Sequence, residues 1–234
     1  MKYVLFDLDG TLLPMNQDIF VKSYFKELIK RISPLGYEPQ AIINGVWNGM
    51  KQMVINNGHK TNEEVFWDSF CHDFGEDILQ HKRDFDDFYK TDFHQVKKVC
   101  GFTPKAEETI LMLRQMNIKT VVATLPVFPA SAIEARIRWA GIDPNLIEFY
   151  TSYETSHFTK PNPAYYQELL NRLDADPEEC LMVGNNVDED MIAKTLGMSV
   201  FLLTDDLINE HDKNIAQYPN GSYDDLQAYI TSVC

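Results

Sequence analysis

The chain has 234 residues, a length that fits one large domain or a core with an inserted subdomain. Its composition, with 44% hydrophobic and 24% charged residues, is typical of a globular protein and excludes disordered and fibrous classes. The formal net charge of −14 argues against nucleic acid and anionic membranes as partners. A small phosphorylated metabolite is not excluded, because a local cation or metal reverses the field inside a pocket.

Short apolar runs predict the strands of a buried sheet. They lie at residues 3–6, 119–124, 146–150, 180–184 and 199–203. Several runs are rich in valine and helical patterns separate them, which is typical of parallel strands that are covered on both faces. From about Phe102 onward strands and helices alternate, so the sequence predicts an α/β fold with a doubly wound, mainly parallel sheet.

Several helix ends are marked by their residue types. Thr103 is placed to cap a helix that has Pro104 at its first position, and Asn162 with Pro163 repeats this start signal. Gly197 is expected to end the helix that follows the fourth strand.

The region between the first strand and the later alternation contains only helical patterns. These patterns lie at residues 19–32, 40–56, 62–74 and 78–93. We therefore predict an α-helical cap domain at 15–99, inserted into an α/β core domain formed by 1–14 and 100–234. Pro14 and Cys100 with Gly101 are the expected hinges.

The cysteines and the first residues bear on the compartment. The four cysteines are Cys71, Cys100, Cys180 and Cys234. They lack C-x-x-C spacing and the density of a disulfide framework, so we expect core or incidental thiols. The first apolar run meets Asp7 and Asp9 too early for a signal peptide, and no later apolar stretch is long enough to cross a bilayer. These features predict a cytoplasmic protein.

Two carboxylates follow the first predicted strand directly, in the segment Asp7-Leu8-Asp9-Gly10-Thr11. Ligands bind at the carboxyl ends of the strands in open α/β sheets, so both acids are expected at one pocket. Two such anions repel each other unless a cation lies between them, and hard oxygen ligands suit Mg²⁺. The competing interpretation is a solvated turn, because Asp-Gly is a common turn dipeptide.

Three later segments complete an ordered set of motifs. Thr124 ends the second predicted strand, Lys160 and Pro161 precede a helix start, and the segment 184–190 (Gly-Asn-Asn-Val-Asp-Glu-Asp) follows the fourth strand. In order, spacing and strand context the four segments resemble the four motifs of the haloacid dehalogenase-like (HAD) superfamily. The resemblance covers the whole chain, including a helical cap directly after the first motif.

The resemblance implies a Rossmann-like core and a hydrolase in which Asp7 attacks phosphorus and forms an aspartyl-phosphate. Asp9 would protonate the leaving oxygen and then deprotonate the attacking water. Lys160 would neutralise the nucleophile and the transferring group, and Thr124 would donate a hydrogen bond to a phosphoryl oxygen. Mg²⁺ would bridge Asp7 and the phosphate, with ligands from the backbone carbonyl of Asp9 and from the acidic loop.

Asn185 is the residue at which the chain departs from the family pattern, since many relatives have an acid there. An amide oxygen can coordinate Mg²⁺ without adding charge, so the missing carboxylate is expected from Asp190, with Asp188 or Glu189 as alternatives. The predicted metal ligands are Asp7, Asp9, Asn185 and Asp190. Weak metal binding is the expected result. The alternative is that Asn185 only hydrogen-bonds Lys160 or holds the loop.

The cap and the motif neighbours are the candidates for substrate contact. The predicted substrate-binding residues are Thr11, Leu8, Leu125 and Asn16. The cap aromatics Trp47, Trp67, Phe66 and Phe70 are predicted to form the cap core, because aromatic residues at helical spacing normally pack inward. We expect the cap to act as a mobile lid that shuts water out of the pocket.

The predicted function is a Mg²⁺-dependent phosphatase that acts on a small phosphorylated metabolite, with no nucleic acid, membrane or obligate protein partner. A dehalogenase uses the same nucleophile on carbon without a metal, but that branch usually lacks the second acid that Asp9 supplies. A phosphomutase on the same scaffold is a further alternative. The last alternative is a catalytically silent binding protein. The intact Asp7, Asp9, Thr124 and Lys160 argue against it.

Overall fold

A parallel sheet forms the centre of the structure, a computed structural model that describes residues 1–233. Its strands are β1 (Tyr3–Phe6), β2 (Lys119–Val122), β3 (Ile147–Tyr150), β4 (Cys180–Gly184), β5 (Ser199–Leu203) and β6 (Asn220–Gly221). The strand order is β3-β2-β1-β4-β5-β6, and every pairing is parallel. The predicted doubly wound α/β architecture is confirmed.

The strand bounds follow the apolar runs closely. β1, β4 and β5 have the predicted bounds, whereas β2 ends at Val122, two residues before the predicted end. β3 begins one residue later than predicted because Leu146 belongs to a short 3-10 helix, Pro144–Leu146. β6 was not predicted, since two residues of sequence Asn-Gly carry no apolar pattern.

The sheet topology puts the end of β1 at the point where ligands bind in this class of fold. β1 lies between β2 and β4, so the chain connections leave it in opposite directions and open a crevice at its carboxyl end. Backbone bonds hold that end on both sides: Phe6 accepts from the Ala123 amide (2.7 Å), and the Asp7 amide donates to Val183 (2.9 Å). Asp7 is therefore fixed at the crevice by two neighbouring strands.

Helices cover the sheet and fill the region between β1 and β2. Within residues 1–233 they are α1 (Gln17–Ile32), α2 (Pro39–Val54), α3 (Asn62–Phe74), α4 (Lys82–Lys90), α5 (Pro104–Gln115), α6 (Ala130–Trp139), α7 (Pro163–Leu173) and α8 (Tyr223–Val233). The predicted caps are present: the Thr103 side chain accepts from Lys105, and the Asn162 side chain accepts from Ala164. None of these helices has both the length and the apolar composition needed to cross a membrane.

Two helix predictions need correction. The predicted helix at 78–93 is interrupted, because α4 ends at Lys90. The next residue, Thr91, has φ −128° and ψ −82°, and its Oγ1 donates to the Asp87 carbonyl (2.6 Å). Short 3-10 helices, Glu76–His81 and Asp92–Val99, flank α4. Gly197, in the left-handed conformation with φ +94°, ends a 3-10 helix, Met191–Leu196, rather than an α-helix.

The two ends of the helical region meet. Met15 forms an isolated antiparallel bridge with Cys100, and the Gly101 amide donates to the Pro14 carbonyl (2.6 Å). Between these points the described chain contributes no strand to the main sheet. The helical region nevertheless shares its apolar core with the sheet, since Phe93 packs on Trp139 of α6 with ring centroids 4.9 Å apart.

The described cysteines differ in how deeply they are buried. Cys180 is buried in β4, and Cys71 and Cys100 are half-buried; all three are free thiols. Cys234 lies outside the described residues.

Candidate active site

A buried lysine joins the acids of the first and last motifs. Lys160 Nζ donates to Asp7 Oδ1 at 2.8 Å and to Asp190 Oδ1 at 2.6 Å. Burial lowers the pKa of Lys160, but the charges of Asp190 and Asp7 outweigh that effect and hold the pKa well above its ordinary value. The ammonium therefore stays charged, and it fixes the orientation of the Asp7 carboxylate.

The end of β2 is held beside Asp7 by two hydroxyl groups. Thr151 Oγ1 and Tyr165 OH both donate to the Thr124 carbonyl, each at 2.9 Å. Because these bonds occupy the backbone of Thr124, its position at the crevice is fixed while its side chain lines the cavity described below. Tyr165 belongs to α7, so the helix that follows Lys160 also braces the second motif.

Asp9 has a partner that the sequence interpretation missed. Arg136, a fully buried residue of α6, contacts Asp9 Oδ2 through Nη1. The guanidinium carbon lies 4.5 Å from the centroid of Phe128 and 5.9 Å from that of Phe20. Burial raises the pKa of Asp9, and the positive charge of Arg136 opposes that shift. Arg136 therefore sets both the orientation of this acid and its electrostatic environment.

A signal for Arg136 was present in the sequence. Ala132, Ile133 and Ile137 repeat at the spacing of one helical face, and Arg136 falls on the same face. Charged residues are almost never fully buried unless they are paired, so an arginine on an apolar face predicts a buried partner. Helix α6 was not among the predicted elements, and its arginine was missed with it.

Asn185 is held by the first motif and by the chain after β5. Its Oδ1 accepts from Thr11 Oγ1 (3.1 Å), and its Nδ2 donates to the Asp206 carbonyl (2.7 Å). Gly10 lies against it with φ +86°, and a Cβ there would stand 2.4 Å from Asn185 Nδ2. Lys160 bonds to the two aspartates and not to this amide, so the suggested bond between Lys160 and Asn185 is absent.

Asp190 is the acid of the last motif that Lys160 links to Asp7. It is fully buried, and its Oδ2 accepts from the Asn186 amide (3.0 Å). A Cβ on Gly184 would lie 2.0 Å from this oxygen, so only glycine leaves room for the carboxylate. Asp188 instead pairs with His211 (2.9 Å) and with Lys213 at the cavity rim, and burial raises the pKa of Glu189 to about 7.

The donor set fits a divalent cation of the Mg²⁺ type. Asp7, Asn185 and Asp190 supply hard oxygen atoms, and the carboxylates of Asp7, Asp9 and Asp190 outnumber the two buried cations that pair with them. Within residues 1–233, no group of three or more His, Cys, Asp or Glu side chains could hold a metal. A cation here would therefore need the Asn185 amide, backbone oxygen or water to complete its shell.

A cavity of about 320 Å³ opens above these residues, between the strand ends and the first two helices. Its polar floor is formed by Asp7, Asp9, Thr124 and Asn185. Of the predicted substrate-binding residues, Leu125 lines this cavity and Thr11 lies beneath it, with its Oγ1 3.3 Å from Asp7 Oδ2. Leu8 has a fully buried side chain, and Asn16 caps α1 by accepting from the Ile19 amide (3.1 Å); neither lines the cavity.

The prediction that Trp47 belongs to the cap core is wrong. Its side chain is 39% exposed and lines the cavity, packed on Phe25 with ring centroids 5.6 Å apart. Trp67 and Phe70 are buried as predicted. Helical spacing gives the same pattern for a wall that faces a cavity and for a wall that faces a core, so the sequence did not separate the two.

These features are those of a known class of hydrolases. A model of the haloacid dehalogenase-like hydrolase family matches residues 1–195, and the chain therefore belongs to that family and is an enzyme. The phosphoglycolate phosphatase of Vibrio parahaemolyticus is 26% identical over 208 residues, covering 87% of this chain and 84% of that protein. Pyrophosphatase PpaX of Bacillus cereus is 25% identical over 185 residues, covering 78% and 74%.

Solved structures share the fold along the whole chain. A 2-haloacid dehalogenase from Pseudomonas syringae pv. tomato superposes with a TM-score of 0.63 at 19% identity and covers 100% of both chains. A HAD phosphatase from Thermococcus onnurineus gives a TM-score of 0.56 at 18% identity and covers 98% of both. Phosphatases and dehalogenases are thus both found on this scaffold, and the reaction has to be argued from the site.

Proposed function

We propose that this enzyme is a Mg²⁺-dependent phosphatase that hydrolyses a small phosphorylated metabolite through an aspartyl-phosphate on Asp7. The observation that carries the proposal is the Asp7 carboxylate at the end of β1, held 2.8 Å from the Lys160 ammonium, with Asp9 facing the same cavity. The curated relatives support it, because both are named for phosphate hydrolysis.

The first half-reaction uses Asp7 as the nucleophile and Asp9 as the acid. A bond forms between a carboxylate oxygen of Asp7 and phosphorus while the bond from phosphorus to the ester oxygen breaks, and the departing oxygen takes the proton of Asp9. Burial raises the pKa of Asp9, which suits a group that has to carry a proton into this step, and the charge of Arg136 opposes that shift. Lys160 offsets negative charge on Asp7 as the anionic phosphoryl group approaches.

The second half-reaction restores both acids. Asp9, now ionised, accepts a proton from water as the water oxygen bonds to phosphorus. The bond between phosphorus and Asp7 breaks, which releases phosphate and regenerates the carboxylate. Arg136 supports this step because its positive charge stabilises the ionised form of Asp9.

The proposal includes a metal because Asp7, Asp9 and Asp190 share only two cationic partners, Lys160 and Arg136. Asp7, the Asp9 backbone carbonyl, Asn185 and Asp190 are the ligands that we propose. Mg²⁺ bound there would neutralise charge on the phosphoryl oxygens. We also propose that residues 15–99 form the cap domain and 1–14 with 100–234 the core domain, since the bridge between Met15 and Cys100 marks where the helical region begins and ends.

Replacement of Asp7 tests the proposal directly. Asp7→Asn removes the attacking anion at nearly constant shape, so the rate of phosphate release from p-nitrophenyl phosphate with Mg²⁺ should fall about a thousandfold or more. The matched control is Asp68→Asn, whose carboxylate is 61% exposed and far from the motifs in sequence. It should retain full activity.

Two further assays, removal of Mg²⁺ by a chelator and release of halide, complete this experiment. EDTA should abolish phosphate release from the wild-type protein, and Mg²⁺ should restore it. Turnover of Asp7→Asn within a few fold of wild type contradicts the mechanism. Release of halide from 2-haloacids, with no phosphate released from any ester, assigns the enzyme to the dehalogenase branch instead.

A further inference from the structure

We infer that the site is built for an uncharged, apolar leaving group, so that its substrates are phosphate monoesters of aromatic or aliphatic alcohols. This inference rests on the proposed phosphatase function and adds the substrate class to it. Two observations carry it: the wall above the catalytic floor is apolar, and no unpaired cation faces the cavity among residues 1–233.

The apolar wall comes from two helices and one loop. α1 and α2 contribute Phe20, Val21, Tyr24, Phe25, Trp47 and Met50, and the loop after β2 contributes Leu125, Val127 and Phe128. The rings pack on one another: the Phe128 centroid lies 5.5 Å from that of Tyr24 and 6.4 Å from that of Phe20. The Tyr24 hydroxyl bonds to Tyr89 (2.9 Å), so its polar end already has a partner. Gln17, at the start of α1, is the polar exception among the helix residues that line the cavity. The rest of the wall offers contact area rather than hydrogen bonds.

The charged groups of the cavity are nearly all acidic. Its carboxylates are Asp7, Asp9, Asp188, Glu189 and Glu210. Among the described lining residues, the one side chain able to carry a positive charge is His211, and its Nδ1 lies 2.9 Å from Asp188. Lys213, which is not a lining residue, also pairs with Asp188. The two buried cations already have carboxylate partners: Lys160 pairs with Asp7 and Asp190, and Arg136 pairs with Asp9. A carboxylate or second phosphate on the leaving group would be desolvated beside these acids without an unpaired protein cation to balance it.

The aromatic wall lies where the leaving group has to depart. Asp9 donates the proton to the departing oxygen, and its partner Arg136 packs against Phe128 and Phe20. Asp9, Phe20 and Phe128 therefore all contact the guanidinium group of Arg136. A leaving group whose oxygen reaches Asp9 thus places its carbon atoms against the rings.

The cavity size suits a leaving group of one or two rings. Its volume of about 320 Å³ is close to the lower end of small-molecule sites. An apolar cavity of about 150 Å³ is enough to bind benzene. The remaining volume leaves room for the phosphoryl group at the floor.

Two esters of primary alcohols provide a test in which the departing oxygen is alike. Benzyl phosphate has an apolar leaving group, and 2-phosphoglycolate has a carboxylate in the same part of the molecule. With saturating Mg²⁺ we expect kcat/KM for benzyl phosphate to exceed that for 2-phosphoglycolate and for pyrophosphate at least about tenfold, since an unpaired charge near carboxylates is strongly disfavoured.

A single substitution should reverse part of this preference. Met50 lines the cavity and is half-buried on α2, so Met50→Lys introduces a flexible cation of similar length. The ratio of kcat/KM for 2-phosphoglycolate to that for benzyl phosphate should rise about tenfold. Met50→Gln, neutral and of similar size, should raise the ratio much less than Met50→Lys does. Val54→Lys, on an exposed position of the same helix, should leave the ratio unchanged.

The outcomes separate this inference from the proposed function. Faster hydrolysis of 2-phosphoglycolate or pyrophosphate than of benzyl phosphate by the wild-type enzyme overturns the inference and leaves the phosphatase proposal intact. The absence of phosphate release from every ester, with Mg²⁺ present, overturns the proposed function itself. Both outcomes are measured on the wild-type protein, so neither depends on the folding of a variant.

Discussion

Arg136 shows how one residue can couple stability and chemistry. Its guanidinium is fully buried and pairs with Asp9, so removing it leaves a buried carboxylate without its partner. Breaking such a pair from one side typically costs about 3 to 5 kcal/mol, whereas removing both charges is far less costly. This asymmetry allows its structural and catalytic roles to be measured separately.

We expect Arg136→Met to lower the free energy of unfolding by about 3 kcal/mol. It should also lower kcat about a hundredfold with little change in KM, because Asp9 loses its orientation but phosphate binding does not depend on it. Urea unfolding and steady-state kinetics measure the two effects. Arg138→Met, an exposed change on the same helix, is the control and should alter neither.

The double variant Asp9→Asn with Arg136→Met separates the two roles. Its stability should recover much of what the single variant lost, while its activity should stay low. Recovery of activity in the double variant would contradict the assignment of Arg136 as a positioning residue for Asp9.

Asn185 is the residue at which the donor set can be altered most simply. Asn185→Asp adds a carboxylate to the proposed metal shell, so the Mg²⁺ concentration for half-maximal activity should fall about tenfold. It also places a carboxylate oxygen against the Asp206 carbonyl, where Nδ2 now donates (2.7 Å). The metal-free variant should therefore melt below the wild type, and Mg²⁺ should raise its Tm more.

Melting curves with and without Mg²⁺ check this expectation independently of turnover. An unchanged Mg²⁺ midpoint, together with a Tm response equal to that of wild type, would remove Asn185 from the metal shell. The amide would then serve only to join Thr11 and Asp206.

At the scale of elements, the first residues of α3 hydrogen-bond to the loops that follow β2 and β3. The Asn62 amide donates to Ser156 (2.8 Å), and the Glu63 amide donates to Tyr153 (2.8 Å). The Asn62 side chain is fully buried and donates to the Pro126 carbonyl (3.1 Å). These bonds tie the helical region to the loops after β2 and β3, so the proposed lid is held at a second place besides its hinges.

We expect Asn62→Ala to weaken this attachment. The loss of buried hydrogen bonds should lower the free energy of unfolding by about 1 to 3 kcal/mol and speed amide exchange at the start of α3. Hydrogen exchange followed by mass spectrometry measures the local effect. Asn44→Ala, an exposed change on α2, serves as the control. Unaltered exchange at residues 60–66 would show that the backbone bonds alone hold the helix.

At the scale of the whole molecule, strands β1 to β5 could be predicted because each is a short, mainly apolar run between helical patterns, whereas β6 has no apolar pattern. The helical region was also predicted, but its interruption at Thr91 depends on one local hydrogen bond that periodicity does not reveal. Asp7, Lys160 and Asp190 were named from motifs, and the structure brings their side chains within hydrogen-bonding distance. Arg136 and Asn62 were missed because neither belongs to one of the four motifs, and their partners lie 127 and 64 residues away in the sequence, so no local pattern connects them.

The contact between Gly101 and Pro14 has a consequence for how such a chain diversifies. Since the amide of one meets the carbonyl of the other at 2.6 Å, the polypeptide leaves and re-enters the sheet domain at a single point. A change in the length of the inserted segment then costs the fold little, because the entropy of closing a loop grows only slowly with its length. The helices α1 and α2, which supply part of the cavity wall, can thus change during evolution while Asp7 and the loop after β2 stay in place.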